Sequence, residues 1–212
     1  MQLYKDSHRS PEERAEDLLS RMTLEEKLAQ MTGYNPAGWS GDDLERDFPH
    51  GAGQVAFLGG IHLNTIYEAA VFQREIQEKI MAKSRFEIPA FFHLETLNGV
   101  MLPGAVSFPS GMGQAATFDP EHQKVVGELI GRQARAAGAT NAFSPVLDIS
   151  RDSRFGRQGE TYGEDPVLAS ALGSAIVSGL QQGGNYREGV LATAKHFLGY
   201  HNSQGGIHAG PL

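Results

Sequence analysis

Four short apolar runs, at residues 54–58, 89–93, 141–147 and 190–194, alternate with longer stretches whose apolar residues recur at helical spacing. Alternation of this kind predicts a parallel sheet, because a return to a parallel strand needs a crossover long enough to contain a helix. The runs are almost unbroken in apolar character, as expected of strands covered on both faces. The helical stretches span residues 64–84, 119–134 and 165–182. Their expected buried faces are Ile66, Ala70, Ile76 and Ile80, then Val125, Val126, Leu129, Ile130 and Ala134, then Leu168, Leu172, Ile176 and Leu180. Asp119-Pro120 and Asp165-Pro166 start the second and third of them. No Gly-x-Gly-x-x-Gly follows the first strand and no phosphate loop occurs, which argues against a nucleotide-binding fold.

Two shorter helices are expected ahead of this region. Ser10-Pro11-Glu12-Glu13 and Thr23-Leu24-Glu25-Glu26 both read as capping boxes, in which a hydroxyl and an acid three residues apart satisfy free backbone donors. Residues 33–53 show no period and read as a long loop, and residues 99–113 as an irregular stretch rich in Gly and Pro. The fold class predicted is α/β, a partial (β/α)8 barrel of about four βα units behind an N-terminal helical segment. Residues 1–53 supply those helices and the loop, and residues 54–212 the first half of the barrel, in a single domain. A closed barrel has eight strands.

Composition limits what such a domain does. The 212 residues carry a net charge of -7 with no basic stripe, which speaks against nucleic acid as a partner. No cysteine is present, so disulfides, thiolate nucleophiles and Cys-type zinc sites are excluded. The eight histidines show no ligand spacing on one face, His201 and His208 included, and neither a metal nor a cofactor is expected. A polar start and the lack of a stretch of membrane-spanning length give the expectation of a cytoplasmic protein without membrane contact, taking Met1 as the natural start.

The polar residues fall at informative places. Glu95 lies just after the second run, Asp148 and Arg157 after the third, and Lys195-His196 at the end of the fourth. In a (β/α)8 barrel the C-terminal ends of the strands meet on one rim, where the site is built. The eighteen residues after Asp148 hold Arg151, Arg154 and Arg157 with Asp152, Glu160, Glu164 and Asp165, glycines between them. Arginine's planar fork can stiffen such a loop while directing a guanidinium at a ligand.

The run Pro145-Val-Leu-Asp-Ile-Ser-Arg-Asp-Ser-Arg-Phe-Gly-Arg-Gln-Gly-Glu-Thr-Tyr-Gly-Glu-Asp-Pro166 resembles the signature of glycoside hydrolase family 3. So do Met22-Thr-Leu-Glu-Glu-Lys-Leu-Ala-Gln-Met31, Gly111-Met-Gly-Gln-Ala-Ala-Thr-Phe-Asp-Pro120 and Lys195-His-Phe-Leu-Gly-Tyr200, in the family's order and over nearly the whole chain. The resemblance implies a retaining, exo-acting β-glucosidase or β-xylosidase with a barrel first domain. It also implies that Glu95, Arg157, Lys195 and His196 hold the terminal sugar. Asp148, Asp152, Arg154, Glu160 and Glu164 then act as structural members of the signature, with Glu160 and Glu164 holding Arg154 or Arg157. The implied partners are terminal β-D-xylosyl or glucosyl residues of small saccharides, and either a missing C-terminal half or another copy of the chain.

Three departures refine this. Glu95 stands where many glucosidases of the family have aspartate, and its extra methylene would crowd a hydroxymethyl group, favouring pentosides. The hexosaminidase branch has Lys-His-Phe-Pro-Gly-His-Gly-Asp, where this chain has Leu198, Tyr200 and Asn202 in place of the proline, histidine and aspartate, so that branch is set aside. Retaining hydrolysis needs a nucleophile and an acid/base roughly 5 to 5.5 Å apart; the resemblance places both beyond the fourth strand, and this chain alone is expected to be inactive. Two other readings stay open: Lys195 as a Schiff-base lysine in an aldolase-like barrel, and a non-enzymatic half-barrel that pairs with itself.

Overall fold

The computed structural model describes residues 2–36, 43–56, 63–202, 204–206, 208 and 210. One sheet of five parallel strands runs in sequential order: β1 (Gly33–Tyr34), β2 (Gln54–Ala56), β3 (Phe91–Leu94), β4 (Asn141–Ala142) and β5 (Leu191–Ala192). Each strand joins the edge left by the one before it, with no reversal of the kind that opens a crevice in doubly wound sheets. That winding, with helices in the crossovers, is the start of a (β/α) barrel.

β1 is the strand the sequence does not announce. Gly33 and Tyr34 pair with Gln54 and Val55 inside the stretch read as loop, and a short helix, α3 (Asp43–Asp47), follows there too. Two residues cannot display a period of two, and their pairing comes from a neighbour 21 residues on. The other four strands lie inside or overlap the apolar runs but are shorter. Of the first run, Phe57 and Leu58 lie outside the described residues. The third run pairs as a ladder only at Asn141–Ala142, because Pro145 has no N–H to give. The chain nevertheless stays beside β5. Thr193 N–H donates to the carbonyls of Ala142 and Ser144 at 3.0 Å, Lys195 N–H to Pro145 at 3.0 Å, and Leu147 N–H to Lys195 at 2.7 Å.

The helices start where their caps predict. In α1 (Pro11–Arg21) Ser10 accepts from Glu13 N–H while the Glu13 carboxylate accepts from Ser10 N–H, and Thr23 and Glu26 do the same for α2 (Leu24–Met31). α4 (Ile66–Lys83) is capped by Thr65 and buries Ala69, Ile76 and Ile80, so Ala69 takes the inward place expected of Ala70. α5 (Gly111–Ala115) is one short turn in the stretch read as irregular. α6 (Pro120–Ala136) and α7 (Pro166–Leu180) are capped by Asp119 and Asp165. α6 turns Val126, Ile130 and Ala134 inward and leaves Val125 and Leu129 exposed.

α6 and α7 pack backbone against backbone. A Cβ on Gly179 would stand 2.2 Å from the Lys124 carbonyl oxygen, one on Gly127 2.6 Å from that of Ile176, and one on Gly131 2.6 Å from that of Leu180. Glycine on both helices therefore permits the approach. The core lies between these helices and the outward face of the sheet, where Phe92, Leu94, Ile130, Leu172 and Ile176 are buried. Burying each such side chain contributes roughly 1.5–3 kcal/mol.

Candidate glycone-binding site

Side chains alternate along a strand, so with Phe92 and Leu94 directed into the helical core, His93 and Glu95 face the other side of the sheet. On that side the His93 and Phe143 rings stack, 3.9 Å between centroids and 10° from parallel. The Lys195 ammonium lies 5.7 Å from the centre of the same Phe143 ring. It donates to both oxygens of Glu95 at 2.9 Å, reaching across the end of β4 from the end of β5 to the end of β3. One layer below, the Thr193 hydroxyl donates to Asn141 Oδ1 at 2.9 Å. The inner face thus rises from a neutral hydrogen bond through an aromatic stack to an ion pair at the rim.

The second half of the site is built by the chain after β4. Asp148, almost fully buried, accepts from His196 twice on Oδ2: from Nδ1 at 2.7 Å and from the backbone N–H at 3.3 Å. An ionised carboxylate only accepts, so Nδ1 carries a hydrogen and Nε2 is the ring atom turned toward Arg157 Nη2, 3.5 Å away. Arg157 meets Glu160 as a fork, Nε to Oε1 at 2.6 Å and Nη2 to Oε2 at 2.7 Å. That pairing lifts the guanidinium well above its usual range against the opposing effect of burial. It holds the Glu160 carboxyl below the usual carboxylate range. The remaining edge of Arg157 donates from Nη1 to the Tyr200 hydroxyl at 3.0 Å.

The four residues thus form two pairs, Glu95 with Lys195 and His196 with Arg157, joined by the peptide between Lys195 and His196 and continued by Asp148 and Glu160. The other signature acids lie apart from them. Asp152 pairs with Arg154 at 2.6 Å on the exposed part of the loop and is held down to about 2 by that guanidinium. Glu164 is exposed and bonds neither Arg154 nor Arg157, so of these two acids it is Glu160 that pairs with Arg157. His201 approaches the second oxygen of Asp148 at 3.7 Å, and His208 Nε2 is hydrogen-bonded to the Tyr200 hydroxyl. Among the described residues no group of acids and histidines is arranged to hold a metal ion.

Two contributors have only faint signals in the sequence. His93 is the strand neighbour of Glu95 on the same face, which the period of two would have indicated. Tyr200 differs from its counterpart in a related branch, but nothing local shows that its hydroxyl reaches Arg157, 43 residues away. Chemically, the rim presents a half-exposed carboxylate, an ammonium, a guanidinium and an imidazole, each already aimed by a partner. Such a set suits a ligand with adjacent hydroxyls, which can donate to the acid and accept from the cations.

The sequence model described as "Glycosyl hydrolase family 3 N terminal domain" matches residues 23–211. The chain belongs to glycosyl hydrolase family 3. Within the family it is similar to a putative beta-xylosidase of Formosa agariphila, 34% identical over 96% of this chain and 28% of that protein. Among solved structures it superposes on a β-glucosidase from Erythrobacter marinus with a TM-score of 0.89 at 35% identity, over 98% of this chain and 28% of that one. It also superposes on the beta-glucosidase from Listeria innocua in complex with glucose, with a TM-score of 0.77 at 30% identity, over 93% and 28% of the two chains. The chain thus spans 28% of the length of these family 3 relatives.

Proposed function

We propose that this chain carries the sugar-holding part of a retaining exo-β-glycosidase, with Glu95, Arg157, Lys195 and His196 binding the terminal glycosyl unit. The observation that carries the reading is that Lys195 pairs with Glu95 while the next residue, His196, meets Arg157, which brings groups from the chain after β3, after β4 and after β5 together. In that role Glu95 accepts from adjacent hydroxyls, Lys195 and Arg157 donate, and His196, whose ring hydrogen is on Nδ1, offers Nε2 as an acceptor. A site whose polar groups are matched to hydroxyls rejects analogues lacking them, because the groups would be left unpaired. Titration of the chain with isofagomine, glucose and xylose by calorimetry tests it. Saturable binding that weakens in the Arg157→Met variant supports the reading, and no heat with any of the three overturns it.

The carboxylates at this rim do not serve as nucleophile or acid/base in the proposal. Glu95 is held by Lys195, Asp148 by His196 and Glu160 by Arg157. The reacting pair then comes from polypeptide beyond these 212 residues. The proposal extends to pentosides before glucosides, since the longer Glu95 side chain reaches further into the space of a hydroxymethyl group. Turnover of nitrophenyl xyloside against nitrophenyl glucoside by the longer enzyme decides that point, and a clear glucoside preference ends it. The Schiff-base reading needs an amine free to attack a carbonyl, whereas Lys195 Nζ is engaged by both Glu95 oxygens.

A further inference from the structure

Tyr200 touches Arg157 in two ways. Its hydroxyl accepts from Nη1 at 3.0 Å, and the guanidinium carbon lies 5.2 Å from the centre of its ring, within reach of a cation–π contact. The ring is wedged in turn. Buried Phe155 meets it edge-on at 5.5 Å, and the His196 ring lies 4.5 Å from it, tilted by 52°. The hydroxyl has a second partner. Arginine can only donate, so the Tyr200 oxygen accepts from Arg157, and the same hydroxyl is hydrogen-bonded to His208 Nε2.

The consequence for Arg157 follows by counting its donors. Of its five N–H groups, Nε and one on Nη2 go to Glu160 and one on Nη1 goes to Tyr200. The second hydrogen on Nη2 faces His196 Nε2 at 3.5 Å, which leaves one on Nη1 without a partner among the described residues. Glu160 alone would leave the guanidinium free to swing about the line between the paired groups. A second hold on the opposite edge removes that freedom and fixes where the remaining hydrogens point.

We infer that Tyr200 is a positioning residue, which sets the plane of the Arg157 guanidinium for sugar hydroxyls through its phenol oxygen and ring, with His208 orienting the hydroxyl. The inference rests on the glycone-binding reading of Arg157. It makes Tyr200 a determinant of affinity without requiring that it touch the sugar.

The test pairs a spectroscopic readout with binding in the Tyr200→Phe variant, which keeps the ring and deletes the hydroxyl. In the wild-type chain, slow rotation of a guanidinium held on both edges gives separate nitrogen NMR signals for Arg157 Nη1 and Nη2. In Y200F these signals merge, and isofagomine binds about tenfold more weakly, as loss of preorganisation predicts. His208→Leu moves both readouts the same way by less, and it carries the test if Y200F does not fold by circular dichroism. Arg157 signals unchanged in the variant overturn the inference. So does a changed signal with unaltered isofagomine affinity. If the wild-type chain binds no isofagomine, the glycone-binding reading falls, and the Arg157 signals alone still decide whether Tyr200 positions the guanidinium.

Discussion

Lys195 donates to both carboxylate oxygens of Glu95 at 2.9 Å, although 100 residues separate the two in the chain. The Lys195 side chain is 12% exposed and that of Glu95 43%. The ammonium is therefore held from below, while the carboxylate keeps a face for a ligand. Lys195→Met is expected to weaken isofagomine binding by about 10- to 100-fold, the range for losing a hydrogen bond to a charged group. Glu95→Gln keeps one acceptor oxygen and loses less. Because the pair is partly solvated, neither change is expected to lower unfolding stability by more than about 1 kcal/mol. Calorimetry and urea denaturation of the two variants check this, and unaltered affinity in K195M removes Lys195 from the site.

His93 makes the fold sensitive to mild acid. Burial disfavours its charged form, Glu95 acts weakly the other way, and the net effect holds its pKa below the free value. Its Nδ1 is buried without a hydrogen-bond partner among the described residues. A folded-state pKa depressed in this way means that the unfolded chain takes up the proton first. The contribution to stability is complete above about pH 6.5 and declines as pH falls toward the folded-state value. His93→Phe retains a ring on Phe143 and cannot titrate. The urea midpoint of the wild type is expected to drop further between pH 7.5 and pH 5.5 than that of H93F, and parallel curves would refute the assignment.

The contact between α6 and α7 tolerates no side chain at Gly179. Gly179→Ala places a methyl group 2.2 Å from the Lys124 carbonyl oxygen, backbone that cannot rotate away. A loss of at least 1–3 kcal/mol, of the order seen for overpacked cores, is expected in denaturant unfolding. Ser174→Ala, at an exposed position of the same helix, is expected to be neutral or slightly stabilising.

The chain expressed alone is expected to self-associate. Phe197 is 95% exposed and Leu198 79%, just past β5, the last strand of the described sheet. An open parallel edge beside apolar side chains invites pairing. Light scattering at micromolar concentration should report dimers or larger species that diminish in the Phe197→Glu, Leu198→Glu double variant. A monodisperse wild-type monomer would defeat the expectation.

What could be read from the sequence divides along the range of the interactions. Ser10 with Glu13, Thr23 with Glu26, and Asp119 and Asp165 before proline act over three or four residues, so the helix starts were legible. The rim positions of Glu95, Asp148 and Lys195 were legible because each ends an apolar run. β1 was not, since two residues paired by a distant strand leave no local pattern. The pairing of Glu160 rather than Glu164 with Arg157 was hidden because both acids follow the same arginine closely, and only the turn between decides which one faces it. Tyr200 was visible as a difference and silent about its partner.

The close pairing of residues 144–147 with 193–195 has an implication for how such a site can diverge. Asp148, Lys195 and His196 take their places from main-chain hydrogen bonds that include no atom of residues 151–189. Insertions among the exposed turns of that intervening segment, at Arg151 or Gly184 for example, could lengthen the rim while the ammonium, imidazole and buried acid stay where they are. A family built on this register can then acquire new outer walls for its ligands and leave the innermost sugar contacts unchanged.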